Sequence, residues 1–402
     1  MKNIAIPSKN QWNIKKISEV AFYQEGPGVR AHQYRTRGVK LLNVANLQKG
    51  KLDLSKSERY ISEEEAYGKY NHFLVDEGDF IIACSGIKVE YFEKKMGFVR
   101  EEHLPLCMNT STMRFKVLDE KELDIKYLAY YMKTDYFKKQ IKKLITGSAQ
   151  LNFGPTHIKK VDLILPPLQT QKKIVAALDK AQEIIDARKK QIELLDELIK
   201  SVFYDMFGDP VSNPMGWEVS KLEKCAPVKQ NKKKNVQGEV WLLNLNEIEK
   251  NTGEIIEYRE IDVEDIGDST IEFNTNNVLY SKLRPYLNKV VIPKRSGFAT
   301  SEILPLEPTK TILQKDYFVS MLRSKEFVEY ISTKVSGAKM PRVVMTELKG
   351  FCVPIPPIKL QNQFTQETGK IELQKQIMKQ SLTEMEDNFN SIIQKAFKGE
   401  LF

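Results

Sequence analysis

Leu165-Pro166-Pro167-Leu168-Gln169-Thr170-Gln171 opens a long polar–apolar segment that runs to Phe207, and its reading decides the fold. The apolar positions after it are Ile174, Leu178, Ala181, Ile185, Ile192, Leu195, Ile199, Val202 and Met206, in steps of four and three, with Arg188 the one interruption. Such an a/d stripe predicts a helix that buries one narrow seam against another helix. Proline excludes the residue before it from the helical region, so the prolyl pair marks a sharp strand-to-helix entry. Gly208-Asp209-Pro210 predicts the helix end.

The stretch occurs twice. Ile355-Pro356-Pro357-Ile358-Lys359-Leu360-Gln361 repeats the entry, and Phe364, Ile371, Met378, Leu382, Met385, Phe389, Ile392 and Ala396 repeat the seam. Pro166 to Pro356 is a shift of 190 residues (356 − 166), and the same shift carries Ile174 onto Phe364 and Val202 onto Ile392. Lys375 falls on Ile185 and Arg188 on Met378, so each copy has one basic residue near its middle, expected to be a register-setting polar layer. Gly369 is expected to interrupt the second helix.

The duplication reaches into the segments ahead of the helices. Residues 12–17 match 217–222, each opening on tryptophan, and 39–44 match 240–245. Residues 79–82 match 277–280, and these β-branched and aliphatic runs read as strands. Residues 128–137 and 318–327 share helical spacing, which puts Tyr130, Tyr131, Phe137, Phe318 and Phe327 in the cores. Residues 147–150 then answer 337–340. The expected fold class is α+β: two mixed α/β globular domains separated by two long helices that form an antiparallel coiled coil, with an internal pseudo-two-fold. The expected boundaries are 1–168 and 209–357 for the domains, and 169–208 and 358–402 for the helices. The framework is shared and the loops on it diverge, as two modules recognising different things would show.

Composition narrows the function. With 402 residues, 41% hydrophobic and 29% charged, the chain has ample material for real cores. No apolar run approaches the roughly 18 residues of a membrane span, and the N-terminus lacks the apolar core of a signal peptide. Cys84, Cys107, Cys225 and Cys352 lie far apart and read as reduced thiols of a cytoplasmic protein, not zinc ligands. The net charge of +9 sits in the globular segments, chiefly residues 1–168, while the helices are near neutral. A basic globular part suits a polyanion, and neutral helices suit protein partners or each other. There is no GxxxxGK[ST], GxGxxG or HExxH, and His32, His72, His103 and His157 stand singly. The Pro-Pro pairs follow Leu165 and Ile355, so they lack the Asn or Asp and the following aromatic of an amino-methyltransferase loop. The reading is of a non-catalytic chain.

Together these residues give a close resemblance to the specificity subunit of type I restriction-modification systems. It rests on Leu165-Pro166-Pro167-Leu168, Gln171, Ile174-Val175 and Leu178-Asp179, then Phe203, Met206-Phe207 and Gly208-Asp209-Pro210. It rests also on the second copy from Ile355 to Gln361, the ending Ala396-Phe397 with Gly399-Glu400-Leu401, and the openings at Trp12 and Trp217. The second copy departs from the pattern at Asn362-Gln363-Phe364, where the first has an aliphatic run. The resemblance covers the whole chain and implies a DNA-reading subunit with two target recognition domains, each taking one half of a split asymmetric double-stranded target. It implies two methyltransferase subunits as partners, with two nuclease-translocase subunits added for restriction. S-adenosylmethionine, ATP and Mg would be used on those partners, and no cofactor is expected on this chain. Two alternatives stand beside it: a coiled-coil scaffold with duplicated heads and no DNA role, and the specificity chain of a related methyltransferase-nuclease system.

A helix of this length would run about 58 Å at 1.5 Å per residue, or roughly 17 base pairs at 3.4 Å each. Base readers are expected on loops and among Arg, Lys, Asn, Gln, Ser and Thr, with Lys and Arg on phosphates. In the first domain the candidates are Arg30, Tyr34, Arg35 and Arg37 of one loop, Ser85 and Lys88 after a strand, Asn109 and Ser111, and Gln150 with Asn152. In the second they are Lys232, Lys233 and Lys234 as a phosphate anchor, then Lys282, Arg284 and Tyr286, and Lys339 with Arg342. The last two groups occupy the positions of 85–88 and 150–152 in the first copy.

Overall fold

The computed structural model describes residues 12–145, 151–228, 238–267 and 269–401. It mixes short strands with helices, the α+β class expected. Two helices of 40 residues dominate, Leu168–Phe207 and Ile358–Phe397. The chain gathers into two compact units, residues 1–187 with 382–402, and residues 188–381. Each unit therefore holds one globular domain and a stretch of both long helices.

In the first unit, Phe80–Ala83 pairs antiparallel with both Thr112–Val117 and Met96–Phe98, and Ala21–Glu25 pairs with the far edge of Thr112–Val117. Val39–Leu42 pairs parallel with Leu106–Met108 and antiparallel with Tyr60–Ile61. The second unit repeats the plan. Val278–Ser281 lies between Ile303–Leu306 and Val290–Val291, both antiparallel. Glu239–Leu243 pairs parallel with Gly297–Thr300 and antiparallel with Arg259–Asp262. Asn13–Lys16 pairs antiparallel with Asp162–Leu165, and Val219–Lys221 with Cys352–Pro354. The strand that begins each copy thus lies against the strand that launches its long helix.

The aromatic residues expected in the core are there: Tyr130, Tyr131, Phe137, Phe318 and Phe327 are all buried. Tyr127 donates from its hydroxyl to the Ile164 carbonyl at 2.7 Å, and Tyr317 to the Pro354 carbonyl at 3.0 Å. Thr134 and Ser324 cap their helices by accepting from the Phe137 and Phe327 amides. All four side chains occupy equivalent places in the two copies.

The coiled-coil seam forms in both units. In the first, Ile174, Leu178 and Ile185 are buried in one core with Phe389, Ile393, Ala396 and Phe397. In the second, Phe203 and Phe207 share a core with Phe364. The start of each helix thus lies with the end of the other, which is the antiparallel arrangement. The terminal phenylalanines reach past the seam into the domains: Phe397 packs 4.8 Å from the Tyr127 ring, and Phe207 4.6 Å from Tyr317.

Gly369 does not interrupt the second helix, which runs unbroken from Ile358 to Phe397. A helical glycine costs about 1 kcal/mol relative to alanine, and the buried seam on both sides of it outweighs that. The polar layer forms only once. Lys375 is buried and paired with Asp196 at 2.5 Å, whereas Arg188 is half-buried and bonds Gln191 at 3.1 Å on its own helix.

The glutamine of each entry motif explains the spacing of that motif. Gln171 is fully buried; its amide nitrogen donates to the Glu122 and Pro166 carbonyls at 2.8 and 2.9 Å, and its oxygen accepts from the Asp124 amide at 2.9 Å. Gln361 does the same with the Ile312 and Pro356 carbonyls and the Gln314 amide, at 2.9, 2.7 and 2.8 Å. Proline supplies no N–H, so the chain entering the helix is held by a side chain that reaches back five residues. Each amide ties the helix start to the loop before an equivalent helix of the domain, fixing the angle between them.

Candidate nucleic-acid interface

Both units bring two of the expected loops together in the same way. In the first, Ser85–Ile87 pairs antiparallel with Leu151–Asn152. The Ser85 hydroxyl donates to Asn152 Oδ1 at 2.6 Å, and the Gly86 amide donates to the same oxygen at 3.1 Å. Gly86 has φ +70°, a region open to glycine at no steric cost. Asn152 and Lys88 are exposed beside this turn. In the second unit, the Val343 amide donates to the Lys282 carbonyl at 2.9 Å and the Arg284 amide to the Pro341 carbonyl at 2.8 Å. Arg284 is exposed with φ +50° and begins the turn that presents Tyr286, itself 54% exposed. A non-glycine residue in the left-handed region carries strain that the surroundings must hold, and such strain gathers at functional sites.

Arg342 is pinned by Glu302, which accepts from its guanidinium on two nitrogens, both at 2.9 Å. That bond holds Arg342 further into its charged form. Lys339 is exposed on the adjacent loop. The second site thus offers a lysine, an arginine and a tyrosine to solvent, with Arg342 fastening the loop beneath them.

A separate site of the first unit gathers the other expected loops. Tyr34 and Ser111 line a cavity of about 630 Å³ together with Asn43, Lys56, Arg59 and Thr110. The Arg59 guanidinium stacks over the Tyr34 ring at 5.0 Å, and Ser111 has φ +70°. Arg30, Arg35 and Arg37 are exposed around it. Arg35 is tethered by the His32 and Tyr34 carbonyls at 2.9 and 3.0 Å, and Gln33 fastens the loop through Glu65 and Tyr70.

Asn109 lies differently from its expectation. It is 2% exposed, donates to Asn43 Oδ1 at 2.9 Å, and accepts from the Val29 and Thr110 amides at 3.3 and 2.8 Å. Its side-chain amide is spent on the loop, and Asn109 borders the same cavity as Tyr34 and Ser111. Gln150, Lys232, Lys233 and Lys234 lie outside the described residues. Sequence reasoning passed over Asn43, Lys56 and Arg59, although Asn43 and Asn244 follow equivalent strands and were visible as a shared feature.

Burial pushes the thiols of Cys84 and Cys107 up to about 12 and that of Cys225 to about 11. Among the described residues, no three His, Cys, Asp or Glu side chains are grouped to hold a metal ion, and no helix is long and apolar enough to cross a membrane.

Residues 9–196 match the model of the type I restriction modification DNA specificity domain. The MjaVIII specificity subunit of Methanocaldococcus jannaschii is 25% identical over 195 residues, covering 48% of this chain and 44% of that protein. The EcoDI specificity subunit of Escherichia coli is 25% identical over 196 residues, covering 47% and 43%. In these two alignments the chain spans under half the length of the relatives it matches. The MjaIX specificity subunit of Methanocaldococcus jannaschii aligns over 384 residues at 22% identity, covering 88% of this chain and 85% of that one. A solved chain from work on complex assembly and conformational transition of the type I R-M system shares the fold. Its TM-score is 0.56 at 15% identity, over 97% of this chain and 98% of that one.

Proposed function

We propose that this chain is the DNA-reading subunit of a type I methyltransferase and endonuclease complex. Its recognition domains, residues 1–168 and 209–357, each read one half of a bipartite asymmetric target. The helices, residues 169–208 and 358–402, act as the spacer between the readings. Adenine methylation and restriction fall to two methyltransferase and two nuclease-translocase partners, which carry S-adenosylmethionine, ATP and Mg. The observation that carries the reading is the duplicated pairing of polar loops, 85–88 with 151–152 and 281–286 with 339–342. Shared framework with different loop residues is what two readers of different half-sites require.

The roles divide by chemistry. Arg284, Ser85, Asn152, Ser111 and Arg59 have the donors and acceptors that discriminate base edges, while Lys88, Lys282, Lys339, Arg30 and Arg37 suit phosphates. Tyr34 and Tyr286 support by stacking and contact. The test is selection from a random duplex library by the chain assembled with its methyltransferase subunit, repeated at two salt concentrations. Enrichment of a split motif, with affinity falling steeply as salt rises, is expected. Binding with no sequence enrichment at either concentration, from an assembled complex, would leave a scaffold role instead.

A further inference from the structure

The two recognition domains meet the long helices through equivalent hairpins whose charges are opposite. In the first unit, Leu47–Gln48 pairs with Lys51–Leu52. In the second, Ile248 bridges Ile255. Each hairpin follows a short 3₁₀ turn after the strand that ends at Leu42 or Leu243, and Lys51 and Glu254 hold the same place in it, next to the second bridging residue. Gly50 and Gly253 precede them, with φ +78° and +66°. Lys51 lies 3.6 Å from Asp186 of the first long helix. Glu254 bonds Lys379 of the second long helix and lies 3.6 Å from Lys375.

These two contacts differ in depth. Lys51 and Asp186 are 67% and 46% exposed, an arrangement whose energy is small in water. Lys375 is only 6% exposed and is neutralised by Asp196 at 2.5 Å, with Glu254 and Glu372 at 3.6 and 3.8 Å. The hairpin cannot back away from it. A Cβ on Gly253 would lie 1.9 Å from the Val290 carbonyl oxygen and 2.1 Å from Arg323 Nη2, so the turn is pressed onto the domain beneath.

We propose that Glu254 is a positioning residue that assigns the second recognition domain to its own stretch of the helix pair, with Lys51 as the charge that is refused there. By the 190-residue shift, Ile185 stands in the first stretch where Lys375 stands in the second, and Gln376 stands in the second where Asp186 stands in the first. A hairpin carrying lysine would therefore meet Lys375 and Lys379 with no acid in the place of Asp186. It would also leave the buried Lys375 without Glu254. The discrimination is one-way and lies in the second stretch, and it breaks the pseudo-symmetry that the duplicated framework would otherwise allow.

Hydrogen–deuterium exchange of the full-length chain tests this without DNA, so its outcome is separate from the DNA-reading assignment. Glu254→Lys should speed exchange of residues 371–380 at least tenfold, and Glu254→Gln should speed it less. Glu254→Lys combined with Lys379→Glu should recover most of the protection. A chain carrying residues 12–165 in place of 217–355 should protect the second helix only when the inserted copy also carries Lys51→Glu. Equal protection in Glu254→Lys and the parent, or no recovery in the exchanged pair, would overturn the proposal. So would a duplicated-head chain indifferent to Lys51→Glu.

Discussion

Gln171 and Gln361 are the side chains on which each helix entry depends. Replacing either with leucine keeps the bulk and leaves two carbonyls and an amide without partners, at about 1–3 kcal/mol. Urea unfolding should show that loss for Gln171→Leu and Gln361→Leu, each through its own half of the molecule. At the loops proposed to read DNA, Arg284→Ala should cost about 1–3 kcal/mol of binding and relax discrimination at one base pair, while Lys339→Ala should weaken all sequences alike and lower the salt slope. Competition titrations against single-position target variants separate the two behaviours. The entry glutamines were legible in the sequence as a repeated motif, but their bonds were not, because their partners near residues 122 and 312 lie far off in the chain. Asn109 shows the opposite failure. Its residue type suits a base edge, and only the structure reveals that its amide is consumed by Asn43 and the backbone.

Among the elements, the two long helices were the most legible, because a heptad stripe is a local signal repeated many times. Gly369 was misjudged because intrinsic propensity is a weak force beside a buried seam. The Lys375 layer was visible as a break in the stripe, but its acidic partners come from another helix and from a hairpin. That layer makes stability depend on pH. Burial works against ionising Glu254, and Lys379 and Lys375 outweigh it, so its pKa lies below the ordinary 4.5. Burial likewise works against the Lys375 ammonium, and Asp196, Glu372 and Glu254 outweigh it, so its pKa lies above 10.5. A depressed acid stabilises above its unfolded pKa and loses that contribution as pH falls through the folded value; a raised lysine stabilises below its unfolded pKa and loses it as pH rises through the folded one. The second unit should therefore weaken from both sides, below 4.5 and above 10.5. Urea midpoints across a pH series should show a shallower acid limb in Glu254→Gln than in the parent.

At the scale of the whole molecule, the duplication matters more than either copy. The framework of the domains could be read from matched strands at 39–42 and 239–243, and at 80–83 and 278–281, since alternating and aliphatic runs are local. Which loops face one another could not, because strand pairing between distant segments sets it. If the helices serve as the spacer, inserting one matched turn in both should add about 5.4 Å, and so widen the gap between half-sites by one or two base pairs. A target of unchanged spacing would separate helix length from spacing.

The most direct measurement is methylome sequencing of a methylation-free host that expresses this chain with its cognate methyltransferase subunit, alongside a chain whose residues 1–168 come from a relative of different specificity. A split motif carrying N6-methyladenine in each half is expected, with the exchange altering one half and leaving the other intact. A complex that assembles yet leaves the host unmethylated would contradict two-headed DNA reading, as would an exchange that alters both halves together.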